Sequence, residues 1–246
     1  MKKQLLAVLL LVVPAFAQAS SGQMHLDEAN IDPGDKGSLQ RGAKMFVNYC
    51  MGCHSAKYER YNRLARDLGI SEELVVQNLM FTGKKIGDHM DIAMDRSDAK
   101  NWFGAAPPDL TLVARVRGVD WLYTYLRTFY SDESRPFGVN NQVFPNVGMP
   151  NVLWKLQGMQ EPVYETVTDD EGHEHKVLEG LEVGASGTQT PEEFDNTVLD
   201  LVNFLAYTGE PIKQERQALG IKVLLFLLVF FVVAYLLKKE YWKDVH

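Results

Sequence analysis

The sequence predicts a mainly α fold: one exported helical domain, interrupted by a surface hairpin or loop and followed by a single membrane-spanning helix. Three observations carry this reading. Apolar residues recur at helical spacing in two distant segments, 39–50 and 194–205. The second segment opens on Thr190-Pro191-Glu192-Glu193, an N-cap threonine, a proline at the first helical position and a glutamate that completes a capping box. Leu219 to Leu237 is then apolar except for Gly220 and Lys222, enough residues to cross a bilayer as a helix.

At the start, Met1-Lys2-Lys3 is basic, Leu5 to Val13 is a short apolar run, and Ala15-Phe16-Ala17 with Ala17-Gln18-Ala19 offers overlapping small-x-small cleavage sites. This is the pattern of a bacterial secretory leader, with cleavage expected after Ala19. The apolar run is too short to span a bilayer, so a retained anchor is the lesser reading. The expected organisation is a leader over 1–19, an exported domain over 20–218, a membrane helix over 219–237 and a cytoplasmic tail over 238–246. The formal charge is −7, and removal of Lys2 and Lys3 makes it more negative. An acidic exported domain does not suit nucleic acid or an anionic membrane surface; it suits a basic protein partner.

Within the domain, Ser38 is the expected N-cap of a first helix, on which Leu39, Ala43, Phe46, Val47 and Cys50 share one face. Gly42 on that face permits another helix to cross closely, although an ordinary core helix has the same pattern. The helix runs into Cys50-Met51-Gly52-Cys53-His54, which contains both cysteines of the chain. Two thiols on one turn can each add across a vinyl group of one porphyrin, and the adjacent histidine can reach the iron: this is the attachment pattern of a c-type haem. A redox disulfide and a zinc half-site are the alternatives, and zinc would call for further Cys or His ligands in a similar cluster. Export agrees with the motif, because such haems are attached outside the cytoplasm.

Further along, Ala105-Ala106-Pro107-Pro108-Asp109-Leu110 is an extended stretch. A backbone carbonyl there could accept the second ring N–H of His54 and orient the imidazole. Arg115 and Arg117 follow as candidate partners for haem propionates, with plain surface arginines as the alternative. The sixth iron ligand has several candidates: Met80, Met90, Met94, Met149 and Met159, with His89 as a bis-histidine option. Met90 and Met94, four apart on an expected helix, look like core or interface residues. Met149 stands apart because Phe144-Pro145-Asn146-Val147-Gly148-Met149-Pro150-Asn151 must form a shaped loop, with a glycine admitting close approach to a porphyrin. Met149 is therefore the expected ligand.

The segment from Glu161 to Gly184 alternates, turns at Asp170-Glu171-Gly172 and could pair back through Lys176-Val177-Leu178, giving an acidic surface hairpin or loop. His173 and His175 in it are read as solvated, since no third ligand for a metal is apparent. After the capping box, Phe194, Val198, Leu201, Val202 and Leu205 form an apolar stripe that Gly209 and Pro211 terminate. An N-terminal helix bearing the haem motif and a C-terminal helix packed across it make a class I cytochrome c-like domain. Beyond the final apolar run, Lys238, Lys239, Tyr241, Trp242 and Lys243 have the positive and aromatic character of a cytoplasmic membrane border.

Taken in order, the stretches Ser38-Leu39-Gln40-Arg41-Gly42, Cys50 to Ser55, Lys57-Tyr58, Arg63, Pro107-Pro108-Asp109-Leu110, Arg115, Arg117, Phe144-Pro145, Met149-Pro150, Phe204-Leu205 and Glu210-Pro211 resemble the cytochrome c1 family of quinol–cytochrome c reductase (the bc1 complex). The resemblance implies one covalent haem c on Cys50 and Cys53, axial ligation by His54 and Met149, and a propionate partner in Arg117. It implies a membrane-embedded dimeric complex with cytochrome b, in which an electron passes from the Rieske iron–sulfur protein to a soluble cytochrome c. Trp121 stands where the family usually has a haem-pocket tyrosine. A stand-alone membrane-anchored cytochrome c shuttle, and a haem sensor with an open sixth site, are the competing expectations.

Overall fold

A computed structural model describes residues 25–169 and 172–243. The expected leader with its cleavage site and the last three residues of the tail lie outside the described residues. The fold is mainly α, as the periodicity predicts. Helix α1 (Lys36–Met45) is followed by α2 (Tyr61–Leu68), α3 (Glu72–Asn78), α4 (Arg96–Phe103), α5 (Val113–Arg117), α6 (Val119–Arg127) and α7 (Trp154–Gln157). Two long helices, α8 (Pro191–Gly209) and α9 (Lys213–Tyr241), complete the chain.

The centre of the domain is the crossing of α1 with α8. The whole stripe Phe194, Val198, Leu201, Val202 and Leu205 is buried, and each such side chain contributes on the order of 1.5–3 kcal/mol by leaving water. Phe46 and Phe204 meet with ring centroids 5.6 Å apart. Gly42 makes the crossing possible: a Cβ there would overlap the Asp200 carbonyl and lie 2.7 Å from Cβ of Phe204. Arg41 closes the same crossing with a two-pronged ion pair to Asp200, at 2.5 and 2.9 Å. The capping box is present in full: Thr190 Oγ accepts the Glu193 N–H at 3.3 Å, and Glu193 accepts the Thr190 N–H at 2.8 Å.

Two local expectations are corrected. Asp35 caps α1, accepting the Ser38 N–H at 3.1 Å. Ser38 is itself buried and takes a hydrogen bond from Asn203 of α8 at 2.9 Å, so its hydroxyl serves the helix crossing rather than the helix end. Met90 and Met94 do not share a helix. Met90 lies in β2 (His89–Met90), paired with β1 (Ala56–Arg60), and helix starts only after Asp95, whose carboxylate accepts the Ser97 N–H. Ahead of β2, the Asp88 carboxylate accepts the Lys84 and Lys85 N–H groups at 2.9 Å each. Met90 is nonetheless core, fully buried.

A second short pair joins β3 (Phe129–Ser131) to β4 (Val139–Asn141), and the expected hairpin is a long ribbon of β5 (Gly158–Thr168) and β6 (Glu174–Ser186). Its register sets Glu161 opposite Glu182, a like-charge pairing that disfavours the strand contact. Gln160 anchors the root, donating to the Arg127 and Phe129 carbonyls at 2.8 Å each. His173 and His175 belong to this exposed ribbon, and no metal-binding cluster of His, Cys, Asp or Glu occurs among the described residues.

Beyond the break at Pro211, α9 runs 29 residues, with a mean hydropathy of 2.7 in its most apolar window and none of that window buried. At 1.5 Å per residue it is about 44 Å long, more than a hydrocarbon layer needs. It begins at Lys213, earlier than the apolar run. Glu210 holds the corner through Arg216 at 2.5 Å and Arg115 at 3.5 Å.

Candidate haem-binding site

The attachment motif sits where α1 changes its winding. Phe46 to Cys50 form a single π-helical turn, and the Met51 N–H reaches the Phe46 carbonyl at 2.9 Å. Such a turn inserts one extra residue into the helix and is a frequent mark of a functional site. The Cys50 carbonyl then accepts both the Cys53 N–H at 3.1 Å and the His54 N–H at 2.9 Å, which winds the motif into one compact turn. Both thiols are free. Burial pushes the Cys50 thiol up to about 12, with Cys53 beside it adding to the effect.

His54 is buried and its orientation is determined by a distant segment. Its Nδ1–H donates to the Pro108 carbonyl at 2.7 Å; a carbonyl only accepts, so the proton sits on Nδ1 and Nε2 keeps its lone pair. The proline segment is pinned in turn. Leu110 N–H donates to the Ser55 carbonyl at 2.8 Å, and Asp109 accepts from Lys57 N–H at 2.9 Å and Thr111 N–H at 3.0 Å. Burial lowers the His54 pKa against the raising influence of Pro108 and Asp109. Burial thus favours the neutral ring, the form a metal ligand requires.

Met149 and Arg117 belong to a second group of residues. The loop that carries Met149 is shaped by two adjacent asparagines. Asn141, fully buried, accepts the Val143 and Phe144 N–H groups at 2.9 and 3.0 Å and donates to the Tyr125 carbonyl at 2.8 Å. Asn140 accepts the Asn146 N–H at 2.8 Å, and Asn146 adopts the left-handed region at φ 63°. From α6, the Tyr125 hydroxyl donates to Met149 Sδ at 3.4 Å. Burial pushes that phenol well above its ordinary pKa.

Tyr125 stacks on Trp121 with centroids 4.8 Å apart and planes 11° apart. The Arg117 guanidinium lies 5.0 Å over the Trp121 ring and 5.7 Å over Phe144. Arg117 makes no ion pair among the described residues, whereas Arg115 is held by Glu210; of the two, Arg117 has its charge available. Cys50 and Met51 from the first group, and Tyr125 and Val147 from the second, line one continuous core, against which Met149 packs.

The donor set fits a covalently attached haem: two free thiols on a turn, an imidazole whose Nδ1 is engaged by Pro108, a thioether on a braced loop and a guanidinium over aromatic rings that has no ion pair among the described residues. Sequence reasoning missed Tyr125, Asn140 and Asn141. The available signals were a tyrosine one helical turn after Trp121 and a tandem asparagine ahead of the proline-bounded loop.

The model of the Cytochrome C1 family matches residues 28–245. The chain belongs to the cytochrome c1 family. It is 54% identical to cytochrome c1 of Allochromatium vinosum over the full length of both chains. It is 50% identical to a protein of Nitrosomonas europaea named ammonia monooxygenase gamma subunit, over 98% of this chain and 97% of that one. With cytochrome c1 of Rhodospirillum rubrum it shares 29% identity over 99% and 97%. Family membership makes this a haem protein of respiratory electron transport with one covalently attached haem c, and α9 fits its single-pass membrane anchor.

Proposed function

We propose that the chain is the haem c subunit of a dimeric bacterial ubiquinol–cytochrome c reductase. In that role it takes an electron from the Rieske iron–sulfur protein and delivers it to a soluble cytochrome c. Cys50 and Cys53 would hold the haem through thioethers, His54 Nε2 and Met149 Sδ would bind its iron, and Arg117 would pair with a propionate. When bound, the haem supplies a one-electron Fe(III)/Fe(II) couple. The chain's own contribution is to set that couple: a histidine kept in one tautomer by Pro108, a thioether that favours the reduced iron, and a core that excludes water. The observation that carries this reading is the Nδ1–H of His54 on the Pro108 carbonyl, 2.7 Å long, directly beside two free thiols.

Residues 1–19 act as the export leader, 20–218 as the periplasmic domain, 219–237 as the core of the inner-membrane anchor beside cytochrome b, and 238–246 as the cytoplasmic tail. The test is purification from mild-detergent membranes through a tag on this chain. A b-type cytochrome and a Rieske protein should copurify in fixed ratio. Recovery alone, as expected of a stand-alone shuttle, would overturn the assignment to a complex. Recovery with monooxygenase subunits, which the name of the Nitrosomonas relative suggests, would overturn the choice of complex.

A further inference from the structure

We infer that Tyr125 is a positioning residue for Met149: its hydroxyl holds one lone pair of the thioether, orients the other for metal binding and raises the reduction potential of the site. The inference rests on the reading of Met149 as an axial ligand. A buried tyrosine hydroxyl needs a hydrogen-bond partner, and the one it has among the described residues is Met149 Sδ, at 3.4 Å. Tyr125 is 8% exposed, so water does not offer a ready substitute.

The direction of the hydroxyl is set by the ring, and the ring is held on two sides. Trp121 stacks on it at 4.8 Å, and Phe129 meets its edge at 5.1 Å with planes 66° apart. The backbone of Tyr125 is tied to the same loop a second time. Asn141 donates to its carbonyl and, through its own side-chain oxygen, gathers the Val143 and Phe144 N–H groups. Tyr125 is therefore joined to the methionine loop at two points, through Asn141 and through Met149 itself. Trp121 supplies the flat surface on which Tyr125 is placed.

The chemistry follows from the donor capacity of sulfur. A thioether has two lone pairs and is a weak acceptor; one pair in the hydrogen bond leaves one for the iron. A hydrogen bond to sulfur withdraws density from it. A poorer donor stabilises Fe(III) less than Fe(II), so the potential rises. An oriented sulfur also resists displacement by other ligands, because its free alternatives have been removed.

The experiment uses the full-length, haem-loaded chain in detergent and compares Tyr125→Phe with the parent and with Met149→Leu. Tyr125→Phe keeps the ring, the stack and the volume, and deletes only the hydroxyl. Its ratio of oxidised to reduced protein at fixed ambient potential should rise about threefold, which is roughly 30 mV lower for a one-electron couple in which tenfold is 59 mV. Cyanide or imidazole should displace the methionine at several-fold lower concentration. A purely structural tyrosine would lower thermal stability and leave both readouts where they were, and that result would overturn the inference.

Met149→Leu separates this failure from failure of the underlying reading. If it abolishes the sulfur–iron(III) charge-transfer band while Tyr125→Phe changes neither potential nor ligand displacement, only the role of Tyr125 is wrong. If the band survives Met149→Leu, the ligand assignment fails and the inference with it. Should Tyr125→Phe not accumulate in haem-loaded form, the unmutated protein still decides. Exchange into D2O should shift the iron–sulfur stretching frequency if a hydroxyl donates to that sulfur, and an unshifted band would refute it.

Discussion

Glu59 makes a prediction about pH that can be worked through from its surroundings. It lies on β1 at 1% exposure, and its Oε1 has no hydrogen-bond partner among the described residues. Arg63, Arg66 and Asp67 face it from α2, and Tyr207 faces it from α8, donating its own hydroxyl to Asp67 at 3.0 Å. Burial pushes the carboxyl up from 4.5 to about 7, against the lowering pull of Arg63 and of the hydrogen bond from the Arg60 backbone. Between those two values the folded chain keeps a proton that the unfolded chain has released, so stability falls as pH rises through this window and levels off above it. The gap between 4.5 and about 7 corresponds to about 3 kcal/mol at full development, at ~1.36 kcal/mol per pH unit. Glu59→Gln removes the ionisation and keeps the shape. In denaturant titrations of the haem-loaded chain, the variant should match the parent at pH 4.5 and exceed it by up to about 3 kcal/mol at pH 8. A variant with the parent's pH slope, or one less stable at pH 8, would refute the argument that burial of this carboxyl costs stability.

Three further outcomes are expected. Gly42→Ala gains about 1 kcal/mol of helix propensity, yet its methyl would meet the backbone carbonyl of Asp200, which has no rotamer to yield. A net loss of about 1–3 kcal/mol should lower the melting temperature of the full chain, and an unchanged melt would mean that the helices part without cost. Arg127 binds Asp195 at 2.6 and 3.0 Å and Asp27 at 2.6 Å while covering the Tyr123 ring at 4.4 Å. Arg127→Lys should lose about 1–3 kcal/mol in denaturant titrations despite keeping the charge, because an ammonium cannot make the two-pronged contact. Electron transfer to a basic soluble cytochrome c should slow as salt rises from low ionic strength towards about 0.15 M, where the Debye length is about 8 Å; a salt-independent rate would show that the acidic side chains only solvate the surface.

Legibility followed distance along the chain. The helices around Phe46 and Phe204 were readable because their apolar positions repeat every three or four residues. Gly42 was readable as a crossing point because a glycine on an apolar face has few other uses. Asp35 was missed as a cap because Ser38 has equal local claim; the crossing with Asn203 of α8 decided between them. The placement of Met90 in a strand was equally hidden, since two residues paired with β1 leave no periodicity to read.

By itself, the sequence determined the haem c motif, the capped α8 and the apolar α9, since each is written in residues within a few turns of one another and local geometry suffices to bring them together. The tertiary structure alone decided which carbonyl accepts the His54 N–H, 54 residues away. It decided that Arg115 pairs with Glu210 while Arg117 makes no ion pair among the described residues, and that Tyr125 reaches Met149 across 24 residues. It also decided that α1 ends in a π turn, where Phe46 and Cys50 are both buried. These choices depend on which faces of separate elements come into contact, and that is set by the packing of the whole core, to which no short segment holds the key.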